Sequence, residues 1–160
     1  MATEKVLNPY RELPGYRCFG CSPDNESGLR MEFIDDGEYI ISHWDPRSCF
    51  QGYQNVLHGG VQATLLDEIA SWVVMVHMKT GGVTSRMDIR YLKKVMVNEG
   101  PLLIRAKLTE HRHRIAFVKA ELFNAAGELA SEATVQYFIL SEEMAREKLA
   151  YPGAEKFKKA

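Results

Sequence analysis

Residues 58–78 read HGGVQATLLDEIASWVVMVHM, and this stretch decides the architecture. Val61, Leu65, Leu66, Ile69, Trp72, Val73 and Val76 recur at three- and four-residue spacings, the period of an α-helix. They cover most of the helix circumference, so the helix has to be enclosed on most sides. Gly81 and Gly82 supply a stop just beyond it. One helix this apolar has no second helix of its own kind to pack against, so the rest of the chain must wrap it.

The flanking sequence supplies the wrapping. Residues 28–34 (GLRMEFI) and 38–44 (EYIISHW) read as two strands joined by Asp35-Asp36-Gly37, an Asp-Gly hairpin signal. Residues 45–57 form a loop rich in Pro, Ser, Gly, Gln and Asn. After the helix, 83–92, 102–109, 115–123 and 129–140 read as strands, with Ile115, Phe117, Lys119, Glu121 and Phe123 on one face. Asn124-Ala125-Ala126-Gly127 makes the last turn, and Ser141-Glu142-Glu143-Met144 opens a short acidic-started helix. Residues 1–27, with Pro9, Pro14, Gly15, Gly20 and Pro23, read as an extended arm with turns. The expected organisation is an arm over 1–27, one domain over 28–140, and a helix and tail over 141–160. Its class is α+β, a curled antiparallel sheet around one long central helix.

Composition narrows the function. The 160 residues suit a single core. A net charge of -1 argues against a nucleic-acid partner, which needs excess Lys and Arg on one face. The chain starts Met1-Ala2-Thr3-Glu4-Lys5, without a basic segment and apolar run, so no signal peptide is expected. The longest apolar stretch is broken by Asp67 and Glu68 and is too short for a bilayer core of ~30 Å. Three cysteines fit reduced thiols better than a disulfide framework. A cytoplasmic protein with no membrane partner is expected.

Asp67 and Glu68 are also the only charges between His58 and Met75. Burying an unpaired carboxylate is costly, so the pair needs a reason. A subunit seam or a solvent-facing stripe would be one. The start of the same helix offers another. His58-Gly59-Gly60 presents free backbone N–H groups, a positive dipole end and close access for a ligand, the elements of an oxyanion hole. Glycines at a loop-to-helix junction can also serve backbone geometry alone. A carboxylate nine residues after His58 favours the chemical reading.

The run from Leu57 to Glu68 (LHGGVQATLLDE), followed by Gly82-Val83-Thr84, resembles the signature of phenylacetic-acid-degradation-type (PaaI-like) hotdog thioesterases, over roughly residues 28–140. The resemblance implies the hotdog fold, hydrolysis of an acyl-CoA thioester, no separate cofactor or metal (coenzyme A is part of the substrate), and a homodimer or a tetramer of two dimers. It implies Asp67 as the catalytic carboxylate, acting as base or nucleophile. Gly60, with Gly59 beside it, falls at the oxyanion region, His58 at the motif histidine, and Thr84 at a hydroxyl that positions water. Ser71 lies one turn beyond Asp67. Many members carry Asn or Gln six residues before the histidine. Here that position is Gly52, and the flanking Gln51 and Asn55 are the candidates for the amide.

Helix geometry points to a dimer independently. Gly60 and Asp67 are seven residues apart, which is ~10 Å along one helix axis. Both must approach the same carbonyl within a few Å, so they are expected from two antiparallel helices across a two-fold axis.

Other features are weighed against plainer readings. Cys18-Phe19-Gly20-Cys21 has metal-knuckle spacing, but four ligands are needed and only Cys49 remains among the thiols, so an ordered turn is expected. No base is identifiable for a Cys49 nucleophile, and no Gly-x-Ser-x-Gly elbow exists. His111-Arg112-His113-Arg114 reads as a solvated hairpin tip. Alternatively, Arg112 and Arg114, with Lys93 and Lys94, form a patch for the phosphates of coenzyme A. His43 and His77 read as structural, Met75, Met78, Met87 and Met96 as core or tunnel lining, and the space beside Trp72 as the acyl pocket. The competing functions are a hotdog dehydratase or hydratase and a non-catalytic acyl-CoA binding module.

Overall fold

The arm expected to lack regular structure contributes the first strand. In the computed structural model, which describes residues 2–160 and so leaves Met1 outside, β1 (Glu4–Val6) pairs antiparallel with β2 (Phe33–Asp35), Lys5 opposite Ile34. Three residues are too few to show a period, so no local signal marks this strand. β2 starts later than the apolar run 28–34 suggests. Leu29 and Met31 instead give their N–H groups to Phe19 O and Gly20 O at 2.7 and 2.9 Å, and Arg30 turns to φ 55°. The Asp-Gly hairpin forms as expected and leads into β3 (Ile40–Trp44). Gly37 takes φ 91°, while Asp36 Oδ1 accepts the N–H groups of Glu38 and Tyr39.

α1 (Gly59–Val76) is the central helix, with Leu65, Leu66, Ile69, Ala70 and Val73 fully enclosed. Around it run β4 (Gly82–Tyr91), β5 (Leu102–Arg112), β6 (Ile115–Phe123) and β7 (Leu129–Ile139). All seven strands belong to one antiparallel sheet in the order β1-β2-β3-β5-β6-β7-β4. The alternation expected for β6 holds. Ala116, Val118, Ala120 and Leu122 are buried, and Ile115, Phe117, Lys119 and Phe123 point the other way. Small residues such as Ala106, Ala120 and Ala133 let the helix approach the sheet closely, and Leu or Ile beside them each contribute about 1.5–3 kcal/mol by burial. This is the expected hotdog arrangement.

Two details position the site. α1 does not end on a glycine: Lys79 takes the left-handed turn at φ 58°. Gly81 is small for another reason. A Cβ there would lie 2.9 Å from Leu149 Cδ1 on α2 (Glu142–Leu149), which docks against this corner. The second detail is a bulge in β4, where the register with β7 shifts between Thr84 and Arg86. The extra residue keeps Thr84 before it and Met87, Ile89 and Tyr91 after it on the helix side. β4 is the last strand of the sheet, and most of its residues are exposed.

Candidate active site

At the start of α1, His58 is the N-cap. Its Nδ1 accepts the Gly60 N–H at 2.9 Å, and its carbonyl accepts the N–H groups of Val61 and Gln62. This changes the expected donor. The Gly60 N–H is already committed, and among the described residues it is the Gly59 N–H that has no partner. Because Nδ1 is the acceptor, the ring hydrogen of neutral His58 lies on Nε2. The exposed end of β4 covers this turn, with Tyr91 Oη donating to Gly59 O at 2.7 Å. A cavity of about 380 Å³ opens here, lined by Gly52, Tyr53, Val56, Leu57, His58 and Gly59.

The amide expected from Gln51 or Asn55 is not brought to that cavity. Gln51 Oε1 accepts the Asn55 N–H at 2.8 Å, and the carbonyl of Asn55, at φ 62°, accepts the Val97 N–H at 2.8 Å. Both brace the loop. Gly52 lies flat against the histidine instead, where a Cβ would sit 3.3 Å from His58 Cδ2.

Asp67 faces β4 and β7. Thr84 Oγ1 and Tyr137 Oη both donate to Asp67 Oδ1 at 2.8 Å, and Tyr137 Oη also reaches the Asp67 carbonyl at 2.7 Å. Among the described residues Oδ2 has no partner. One oxygen is therefore anchored by two hydroxyls while the other stays open to a water or a carbonyl carbon. Burial, and then the charge of Asp67, pushes the Tyr137 hydroxyl pKa far up, so it stays a donor across the working pH range. Thr84, which the resemblance singled out, thus lies against Asp67, and Tyr137 was not anticipated. A signal was present: Tyr137 alternates with Val135 and Ile139 on an inward face, and a buried phenol needs a polar partner.

Ser71 and Trp72 do not join this cluster. Ser71 Oγ turns back to Glu68 O at 2.7 Å within the helix. Trp72 is stacked on Phe33 at 4.4 Å and edge-on to Phe157 at 5.6 Å. Five residues at 3.6 per turn place it about 140° around the helix from Asp67. The cavity of about 580 Å³ that Trp72 touches lies under the arm, against Val6, Leu7, Met31 and Phe33. The space beside Trp72, which the sequence reading took for the acyl pocket, is therefore not lined by Asp67.

Glu68 faces that same arm. Its Oε1 accepts Trp72 Nε1–H at 3.0 Å and the Cys18 thiol at 3.5 Å, and burial pushes its carboxyl up to about 7. Cys21 joins them, with one ligand-type atom from each of Cys18, Cys21 and Glu68 all within 4.8 Å of one another. The two adjacent carboxylates of α1 therefore serve opposite faces.

Of the basic candidates, Arg112 pairs with Glu110 at the expected hairpin tip, where His113 takes φ 53°. Lys93 pairs with Glu128. Arg114 and Lys94 are exposed without an ion pair among the described residues. Arg114 lies beside Ile139, opposite Gly82, whereas Lys93 follows Tyr91 and bonds Ala130 O. The two pairs thus sit at opposite ends of β4, ~30 Å apart at about 3.3 Å per residue. One chain does not bring them together. A wider groove of about 1030 Å³ lies at the far end of α1, where His77 Nε2 and Asp35 Oδ1 meet at 2.8 Å, the structural role expected for His77.

No helix among the described residues is long and apolar enough to cross a membrane. Residues 54–131, which include the helix start, Asp67 and Thr84, match the family model of the thioesterase superfamily. No curated protein matches the chain. Among solved structures, a thioesterase superfamily protein superposes with a TM-score of 0.67 at 21% identity over 73% of this chain, which spans only 57% of that longer protein. A hypothetical thioesterase protein with coenzyme A from Streptococcus pneumoniae TIGR4 gives 0.62 at 23% identity, covering 66% of this chain and 83% of that one. A protein of Streptococcus mutans UA159 bound to acetyl CoA gives 0.66 at 21% identity over 82% and 98%. The chain has the hotdog fold, and over residues 54–131 it matches the thioesterase superfamily.

Proposed function

We propose that the chain hydrolyses acyl-CoA thioesters as a homodimer, each active site assembled from two subunits. The observation that carries this reading is the asymmetry of Asp67, one oxygen held by Thr84 and Tyr137 and the other open, inside the segment that matches the superfamily. Oδ2 takes a proton from water as the water oxygen attacks the thioester carbon. The oxyanion that forms meets the Gly59 N–H and His58 Nε2–H of the second subunit. The C–S bond then breaks, its electron pair leaves on the coenzyme A sulfur, and the proton held by Asp67 neutralises that thiolate. Direct attack by Oδ2 would open a covalent route from the same atom.

A second subunit is needed because Gly59 and Asp67 are eight residues, or ~12 Å, apart on one helix. The exposed edge of β4 offers a place for it, since a long unpaired edge strand invites pairing. Antiparallel self-pairing about residues 87–88 sets Tyr91 of one copy beside Thr84 of the other. Tyr91 touches Gly59 and Thr84 touches Asp67, so this register joins the two half-sites. It also sets Lys93 and Lys94 of one copy near Arg114 of the other, gathering the cations for the phosphates of coenzyme A. The free cysteines fit a reducing compartment such as the cytosol.

Thiol release from a panel of acyl-CoAs tests the reading. Wild type should turn over at least one acyl class, and Asp67→Asn should lose about 100-fold or more. Tight binding without release across the panel would make the chain a binding module, and hydration of an enoyl-CoA would make it a hydratase. A dead Glu68→Gln beside an active Asp67→Asn would mean that the wrong carboxylate has been chosen.

A further inference from the structure

Cys18-Phe19-Gly20-Cys21 leaves the arm with two thiols in a tight turn, closed by Ser22 N–H to Cys18 O at 3.1 Å. The turn lies directly on α1. At Gly20 a Cβ would sit 2.4 Å from both Cδ and Oε2 of Glu68, so only glycine lets the carboxylate lie against the turn between the two cysteines. Tyr16 Oη meets Cys21 Sγ at 3.0 Å, and Trp72 Nε1–H fixes Glu68 Oε1 at 3.0 Å. Cys21 and Glu68 are thus each held by a further residue, while Cys18 Sγ donates to Glu68 Oε1 at 3.5 Å. Among the described residues no Lys, Arg or His pairs with Glu68, so this partly buried cluster has no counter-cation from the protein.

We propose that Cys18 Sγ, Cys21 Sγ and a Glu68 carboxylate oxygen form a zinc site that staples the N-terminal arm to the central helix. Two sulfurs and one oxygen within 4.8 Å of one another suit a tetrahedral ion with Zn–S of about 2.3 Å and Zn–O of about 2.0–2.2 Å, the fourth position going to water. The thiolate pair selects zinc over magnesium or calcium. The thiol protons leave to solvent as the ion enters, and no redox change is involved. The site stands apart from the proposed hydrolysis, because Glu68 faces the arm and Asp67 faces β4.

The test uses the full chain with Cys49, the remaining exposed thiol, replaced by serine. Dialysed against zinc and then metal-free buffer, it should retain about one zinc per chain by elemental analysis, and Cys18→Ser with Cys21→Ser should retain none. Glu68→Gln should weaken binding by 10-fold or more. Should the double variant fail to fold, cobalt added to the parent chain still decides. Sulfur-to-cobalt charge-transfer absorption, with the strong visible bands of a four-coordinate ion, supports the site. A folded parent chain that retains no zinc and gives no charge-transfer band overturns it, as does equal retention by a folded double variant.

Discussion

Replacing Tyr137 by phenylalanine removes one oxygen from a fully enclosed side chain and leaves the packing against α1 in place. The lost hydroxyl is one of two donors to Asp67 Oδ1 and also bonds the Asp67 carbonyl. A hydrogen bond to a charged group contributes about 1.5–3 kcal/mol. If that orientation is needed in the transition state, kcat should fall about 10- to 150-fold at 1.36 kcal/mol per decade, with KM little changed. Stability should fall by about 1–2 kcal/mol, or roughly 2–4 °C of Tm per kcal/mol in a domain of this size. The assay is coenzyme A release by wild type, Tyr137→Phe, Asp67→Asn and the double variant, with Tm for each. Tyr137 acts only through Asp67, so the double variant should lie within about threefold of Asp67→Asn. Two results would refute the reasoning: a full kcat in Tyr137→Phe, or losses that simply multiply in the double variant.

Two further outcomes follow from named contacts. Arg114→Ala should raise KM more than it lowers kcat, because a phosphate contact binds ground and transition states alike, and an unchanged KM at low ionic strength would remove the hairpin tip from the coenzyme A surface. Gly20→Ala should push the Glu68 carboxylate off its Trp72 and Cys18 partners, at about 1–3 kcal/mol by thermal melting. Adding Glu68→Ala should make Gly20→Ala nearly silent, and an undiminished loss would place the clash elsewhere.

What could be read from the sequence was local or periodic. The apolar circumference of 58–78 demanded enclosure, the strand runs supplied it, and His58-Gly59-Gly60, with Asp67 nine residues after the histidine, marked both halves of the proposed site. The contacts that finish the site join residues remote in the chain. Tyr137 lies 70 positions from Asp67, and Cys18 lies 50 from Glu68. No spacing rule connects such pairs until the register of β7 and the path of the arm are known. The exchange of Gly60 for Gly59 as free donor was hidden for a different reason. It depends on the rotamer of His58, whose Nδ1 captures the second N–H of the helix.

The composite site is the central claim, and subunit complementation tests it most directly. Gly59→Pro removes only the free N–H, at the helix position that tolerates proline best, following a His58 backbone (φ -60°, ψ 133°) that accepts it. Asp67→Asn removes the carboxylate. Each homodimer should be inactive, since both of its sites carry the same lesion. In a heterodimer one site collects both lesions and the other collects neither, so about half of the wild-type activity per heterodimer should return on subunit exchange. Mixtures that stay inactive after exchange is demonstrated by mass would contradict the account.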